Sequence, residues 1–187
     1  MSLRWLPNGL CVLRMLLALP TAWLLMRGEY WMTLLVFVFA AVTDVADGYI
    51  AKRFGWQTEL GKALDPLADK LLLVTVFITL AALQLVPVWL AVLVVVRDAL
   101  ITCGAIAYRL LYGPIVGAAP TLVSKLNTLM QILYVSAVVY AEAMHWPLAS
   151  VLPVLTWLTA ITTLCSGADY VLTYSRRALS ASRAQQH

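Results

Sequence analysis

Asp44, Asp47, Asp65 and Asp69 stand in one short stretch of an otherwise apolar chain, accompanied by Gly48, Ala51 and Gly61. The stretch reads D-V-A-D-G-Y-I-A-K, then eight residues, then G-K-A-L-D-P-L-A-D. Carboxylates near the centre of a membrane helix cost roughly 2.5–3.5 kcal/mol each on insertion scales, so a cluster of them calls for a compensating positive charge. Hard oxygen ligands suit Mg²⁺, Mn²⁺ or Ca²⁺. Four converging carboxylates could hold two divalent ions about 3.5–4 Å apart, an arrangement suited to in-line phosphoryl displacement. Such ions would neutralise a diphosphate substrate and its leaving oxygen, and a less tightly engaged carboxylate could take the proton of an attacking hydroxyl. The plainer alternative is a set of helix-end acids salt-bridged to Lys52, Arg53, Lys62 and Lys70. Helix-end pairing does not require this spacing together with the small residues.

Hydropathy defines the elements that must position these groups. Of the 187 residues, 63% are hydrophobic and 12% charged, and mean hydropathy is +0.88. These are values of an integral membrane protein. About 20 apolar residues cross a bilayer as a helix. Six windows qualify, at 6–26, 30–49, 67–85, 88–111, 122–143 and 147–174. Pro20 interrupts the first, and no small-residue cleavage site follows before Arg27, which reads as a retained span rather than a signal peptide. Cys11, Cys103 and Cys165 lie far apart, without metal-ligand spacing or a disulfide pattern. No linker, low-complexity tract or clear repeat divides the chain, so one membrane domain over residues 1–187 is expected.

Charge sets orientation. Arg4, Lys52, Arg53, Lys62, Arg109, Lys125, Arg176, Arg177 and Arg183 fall on one side of these windows and only Arg27 on the other. The positive-inside rule puts both termini and the two longer connections in the cytoplasm. The expected fold is therefore all-α, a polytopic membrane protein with six transmembrane helices and both termini cytoplasmic. The net charge of +4 matters less here than that distribution; membrane lipids, not nucleic acid, are the expected partners.

On such helices Asp44 and Asp47, three apart, share a face near the cytoplasmic end of the second helix. Asp65 and Asp69, four apart, share one at the start of the third. Antiparallel neighbours joined by a short loop can bring both pairs to one depth. Gly48, Ala51 and Gly61 would permit close helix approach or let a bulky ligand reach the backbone. Pro66 marks either a helix start or a kink.

The stretch from Asp44 to Asp69 resembles the motif D-x2-D-G-x2-A-R-x8-G-x3-D-x3-D of the CDP-alcohol phosphatidyltransferases. Lys52 stands in place of the motif's Arg, which keeps the charge and loses the bidentate phosphate fork unless Arg53 supplies it. The resemblance implies a CDP-diacylglycerol donor, CMP as leaving product, and a divalent metal, Mg²⁺ or Mn²⁺, bound as two ions. Carried over residue by residue, Asp44, Asp47 and Asp65 become metal ligands. Asp69 becomes the general base and touches a metal as well. Gly48 and Ala51 would make room for the cytidine nucleotide, with Gly61 and Lys52 also on the donor side. The opening L-P-N-G-L-C-V-L-R is similar to the family's P-N-x-L-T-x2-R: Asn8 and Arg14 match, and Cys11 replaces Thr. Arg14 is either a contact to the donor phosphates or a snorkelling arginine. The family also suggests a homodimer.

The acceptor is read from two later segments. Residues 96–107 read V-R-D-A-L-I-T-C-G-A-I-A, and residues 120–131 read P-T-L-V-S-K-L-N-T-L-M-Q. Their R-D and S-K-x-N-T-x2-Q patterns resemble the CMP-forming cardiolipin synthases within the family, whereas the phosphatidylglycerophosphate synthases show R-E and G-K-x-K-T. That favours phosphatidylglycerol as acceptor, with Arg97, Arg109 and Lys125 as acceptor-side cations. A small dianion such as glycerol 3-phosphate would want more basic residues. Arg97, roughly 14 Å into its helix at 1.5 Å per residue, is either ion-paired or in a polar cavity. Asp98, next in sequence, is expected to point elsewhere on the helix. The expected reaction is CDP-diacylglycerol plus phosphatidylglycerol giving cardiolipin and CMP, at a bacterial inner membrane with the site facing the cytoplasm. One rival uses the same site with glycerol 3-phosphate. Another is a cation or proton transporter, against which the acids lie near one surface with no acidic relay across.

Overall fold

A computed structural model of the chain describes residues 6–54, 59–112, 121–146 and 150–184, with side chains described at 12–43, 70–104, 121–146 and 150–173. Six helices follow one another: α1 (Leu6–Met26), α2 (Tyr30–Phe54), α3 (Glu59–Ala82), α4 (Val88–Tyr112), α5 (Leu122–Met144) and α6 (Val151–Ala184). No strand occurs among the described residues. α1 coincides with its hydropathy window, but α2 runs on to Phe54, α3 begins at Glu59, and α6 continues to Ala184. A hydropathy window stops where charge begins. A helix need not, because Lys, Arg, Glu, Leu and Ala are good helix formers. Pro66 consequently lies inside α3 and does not start it.

Among the described residues, α5 and Val151–Thr173 of α6 are each 23 residues long and apolar enough to cross a membrane. At 1.5 Å per residue each spans about 35 Å, enough for a bilayer core.

Three helix ends share one cap. After α1, Gly28 N–H donates to Leu25 O at 3.0 Å and Glu29 N–H to Leu24 O at 3.0 Å, with Gly28 at φ 74°. This is a Schellman turn, in which a left-handed residue lets two amides reach back to orphan carbonyls. α3 ends the same way, with Gln84 N–H to Ala81 O, Leu85 N–H to Leu80 O, and Gln84 at φ 58°. α5 repeats it through His145 at φ 50°. These caps end α1, α3 and α5.

The chain divides into two compact units, Met1–Ala91 with Val135–Ala149, and Val92–Tyr134 with Ser150–His187. In the first, α1 packs against both α2 and α3. Arg14, Ala18, Thr21 and Leu25 form its buried stripe, recurring every three or four residues as a helical face requires. Thr33, Phe37 and Ala40 of α2 and Val76, Phe77 and Leu80 of α3 are buried in the same unit. Ala18 and Ala40 carry little bulk and let backbones approach. Trp31 meets Tyr140 edge-on, ring centroids 6.4 Å apart at 85°, within the range of a favourable T-shaped pair.

Several polar groups are buried and many large apolar ones are exposed. Arg14, Thr21, Arg97, Asp98, Asn127 and Gln131 are buried, while Leu16, Leu19, Leu35, Phe39, Leu129, Trp157 and Leu164 are exposed. Exposed apolar surface on this scale marks an interaction face rather than a water-facing one. Inward hydroxyls are satisfied by the helix itself: Thr21 donates to Leu17 O at 2.6 Å, and Thr33 to Glu29 O at 3.0 Å.

Candidate functional site

The backbone puts Asp44, Asp47, Gly48, Ala51 and Lys52 on the second half of α2, and Gly61, Asp65 and Asp69 on the first half of α3. Spacings of three and four residues keep each aspartate pair on one helix face. Their side chains lie outside the described residues, as do those of Asn8 on α1 and Arg109 on α4. The donor set itself, four carboxylates without nitrogen or sulfur, matches the ligand preference of hard divalent cations. Thr43, the last described side chain before the motif, folds its hydroxyl back onto Ala40 O at 2.8 Å. Arg14 is only 2% exposed, on the helix that packs against both motif helices. That burial excludes a surface arginine snorkelling along lipid.

The second unit holds a buried polar network. Arg97 and Asp98 are each 5% exposed. Arg97 Nη1 donates to Asp98 Oδ1 at 2.6 Å, so the two do pair although they are sequence neighbours. Adjacent helical residues diverge by about 100°, which is why the sequence pointed Asp98 elsewhere; the long arginine stem curls across that angle. Arg97 Nη2 also donates to Ser124 Oγ on α5 at 2.9 Å and to Ser166 Oγ on α6. One guanidinium thus joins three helices. Deeper in the unit, Thr163 Oγ1 donates to Asn127 Oδ1 at 2.8 Å, and Thr156 Oγ1 to Tyr134 Oη at 3.1 Å. Lys125 is exposed, in the first turn of α5, which Thr121 caps by accepting from Ser124 N–H at 3.2 Å.

Residues 4–165 match the family model described as CDP-alcohol phosphatidyltransferase. The chain belongs to the CDP-alcohol phosphatidyltransferase family. It is 33% identical over 180 residues to the human cardiolipin synthase (CMP-forming), an alignment covering 88% of this chain and 60% of the relative. The Drosophila melanogaster probable cardiolipin synthase (CMP-forming) is 30% identical over 182 residues, 89% of this chain and 56% of that one. Identity is also 33% to the Bacillus subtilis CDP-diacylglycerol–glycerol-3-phosphate 3-phosphatidyltransferase, over 143 residues, 73% of this chain and 69% of the relative. The chain spans about 60% of the length of the human and rat relatives it matches.

For this CDP-alcohol phosphatidyltransferase, the S-K-x-N-T-x2-Q pattern singled out Ser124, Asn127 and Gln131 on α5, whereas Thr159, Thr163 and Ser166 on α6 were passed over. The signal was present as polar residues at steps of three and four, Thr156, Thr159, Thr163 and Ser166, among largely apolar neighbours. Such a stripe reads as an inward face once a partner stripe is recognised.

Proposed function

We propose that this phosphatidyltransferase moves the phosphatidyl group of CDP-diacylglycerol onto phosphatidylglycerol, forming cardiolipin and CMP at a bacterial inner membrane. The aspartate motif on α2 and α3 supports the reaction class, and the S-K-L-N-T-L-M-Q segment of α5 supports the acceptor. The transporter reading loses ground to the family match, which accounts for the same acids chemically.

Asp44, Asp47 and Asp65 would hold the divalent cations, with Asp69 at their edge. The bound metal supplies charge neutralisation for the diphosphate and its leaving oxygen. Asp69 takes the proton of the acceptor hydroxyl, whose oxygen forms the new bond to the phosphorus that carries diacylglycerol. The bond from that phosphorus to the oxygen of the CMP phosphate breaks, and CMP departs with the electron pair. Gly48, Ala51 and Gly61 leave room for the cytidine nucleotide, and Asn8, Arg14 and Lys52 lie on the donor-phosphate side. Lys125 and Arg109 are the cations that the sequence offers for the acceptor's phosphodiester. Arg97, named with them from the sequence, is already engaged by Asp98, Ser124 and Ser166. We place the whole chain, as one catalytic domain, in six spans with both termini cytoplasmic and acting as a homodimer.

Glycerol 3-phosphate is the second reading, favoured by the equal identity to the Bacillus subtilis relative. Purified chain with CDP-diacylglycerol and Mg²⁺ or Mn²⁺, given each acceptor separately, decides between them. Release of CMP and formation of cardiolipin with phosphatidylglycerol is expected. Turnover of glycerol 3-phosphate alone would replace the acceptor and keep the reaction class.

A further inference from the structure

Along α5 the inward polar residues Ser124, Asn127, Gln131 and Tyr134 advance by three, four and three. Along α6, Thr156, Thr159, Thr163 and Ser166 advance by the same steps in the opposite direction of pairing. Tyr134 therefore meets Thr156, and Asn127 meets Thr163, at 3.1 and 2.8 Å. Ser124 and Ser166 are bridged by one nitrogen of Arg97. The remaining pair, Gln131 and Thr159, are each 1% exposed, and Gln131 Nε2 and Thr159 Oγ1 have no hydrogen-bond partner among the described residues. By the progression of the other rungs Gln131 falls opposite Thr159, with no hydrogen bond between Nε2 and Oγ1.

Apolar contacts alone do not choose a register between two membrane helices, because lipid tails are as apolar as leucine. Sliding by one turn, about 5.4 Å, would bring Gln131 level with Thr156 or Thr163 and re-pair the inner residues, but it would strand the outermost ones and break the bridge that Arg97 makes between Ser124 and Ser166. We infer that this polar ladder fixes a single register of α5 against α6, and that Arg97, bridging its last rung, is a positioning residue. What it positions is the first turn of α5 with Lys125, a role that rests on the acceptor reading above.

The test uses the full chain with Cys11, Cys103 and Cys165 replaced by Ala. Gln131→Cys with Thr159→Cys should cross-link on oxidation, and Gln131→Cys with Thr156→Cys or with Thr163→Cys should do so about five-fold less, given the short reach of a disulfide. Equal yields for the three pairs would overturn the register lock. A double-mutant cycle in thermal unfolding checks the same point without cysteines. Asn127→Leu and Thr163→Val should be non-additive, whereas Asn127→Leu and Thr156→Val should add; additivity in both cycles would also overturn it.

For Arg97, the variant is Arg97→Met combined with Asp98→Asn, so that no buried charge is left without its partner. The on-register cross-link should fall, the off-register ones should rise, and the KM for phosphatidylglycerol should increase with that for CDP-diacylglycerol unchanged. A raised acceptor KM with the original cross-link pattern would make Arg97 a direct acceptor contact and overturn the positioning role. Cross-linking needs no substrate, so an enzyme that used only glycerol 3-phosphate would refute the acceptor reading while leaving the register result intact.

Discussion

Replacing a carboxylate by its amide keeps the shape of a ligand and removes the charge that holds a hard cation. Asp44→Asn, Asp47→Asn and Asp65→Asn should therefore each lose most activity, with metal affinity falling in parallel. Chelation should abolish turnover in the unmodified chain, and added Mg²⁺ or Mn²⁺ should restore it; undiminished turnover in excess EDTA would end the metal reading. Asp69→Asn should separate chemistry from binding. As the base it should still bind metal and donor while turnover falls about 10²–10⁴-fold, the usual contribution of a positioned proton acceptor. Metal affinity lost as severely as in Asp44→Asn would recast Asp69 as chiefly a ligand. At this scale the aspartates stand out in the sequence because acids in an apolar chain need a reason, and these variants test the one proposed. The partners of Arg97 were not legible, since Ser124 and Ser166 lie 27 and 69 residues away and meet it only through the fold.

Helix positions were legible from hydropathy, and helix lengths were not. Hydropathy reports where a helix sits in lipid, whereas hydrogen bonding and propensity decide where it stops. That is why α2 and α3 extend through the charged motif and carry Asp65 and Pro66 inside a helix. The three Schellman turns make a further difference measurable. A left-handed residue with a Cβ costs about 1–2 kcal/mol relative to glycine, offset in part by the greater chain entropy glycine loses on folding. Gln84→Gly should accordingly raise stability by up to about 1 kcal/mol, and Gly28→Ala should lower it by a similar amount. At Gly28 the nearest atom to an added Cβ is Tyr30 Cε2 at 4.0 Å, so crowding contributes nothing and the backbone alone sets the sign. Thermal unfolding in one detergent measures both. Shifts of the same sign for the two variants would refute the account.

In each of the two units, buried polar groups, Arg14 in the first and Arg97, Asp98 and Asn127 in the second, together with exposed leucine, valine and tryptophan, suit a solvent of hydrocarbon. Orientation is then a matter of where the cations fall, and it can fail cleanly. Glu29, Gln84 and His145 are exposed, next to the three short connections, and Lys125 is exposed at the opposite end of α5 from His145. The positive-inside rule puts the first three outside the cytoplasm and Lys125 within it. In cells expressing the chain with Cys11, Cys103 and Cys165 replaced by Ala, single cysteines at Glu29, Gln84 and His145 should react with an impermeant maleimide. A cysteine at Lys125 should react only after the membrane is opened. All four reporters exchanged would keep six spans and invert the protein, placing the aspartate motif on the outer face, away from any cytoplasmic supply of CDP-activated lipid. Glu29 and His145 on opposite sides would break the six-span topology itself, because α2 to α5 must make an even number of crossings for those two connections to share a face.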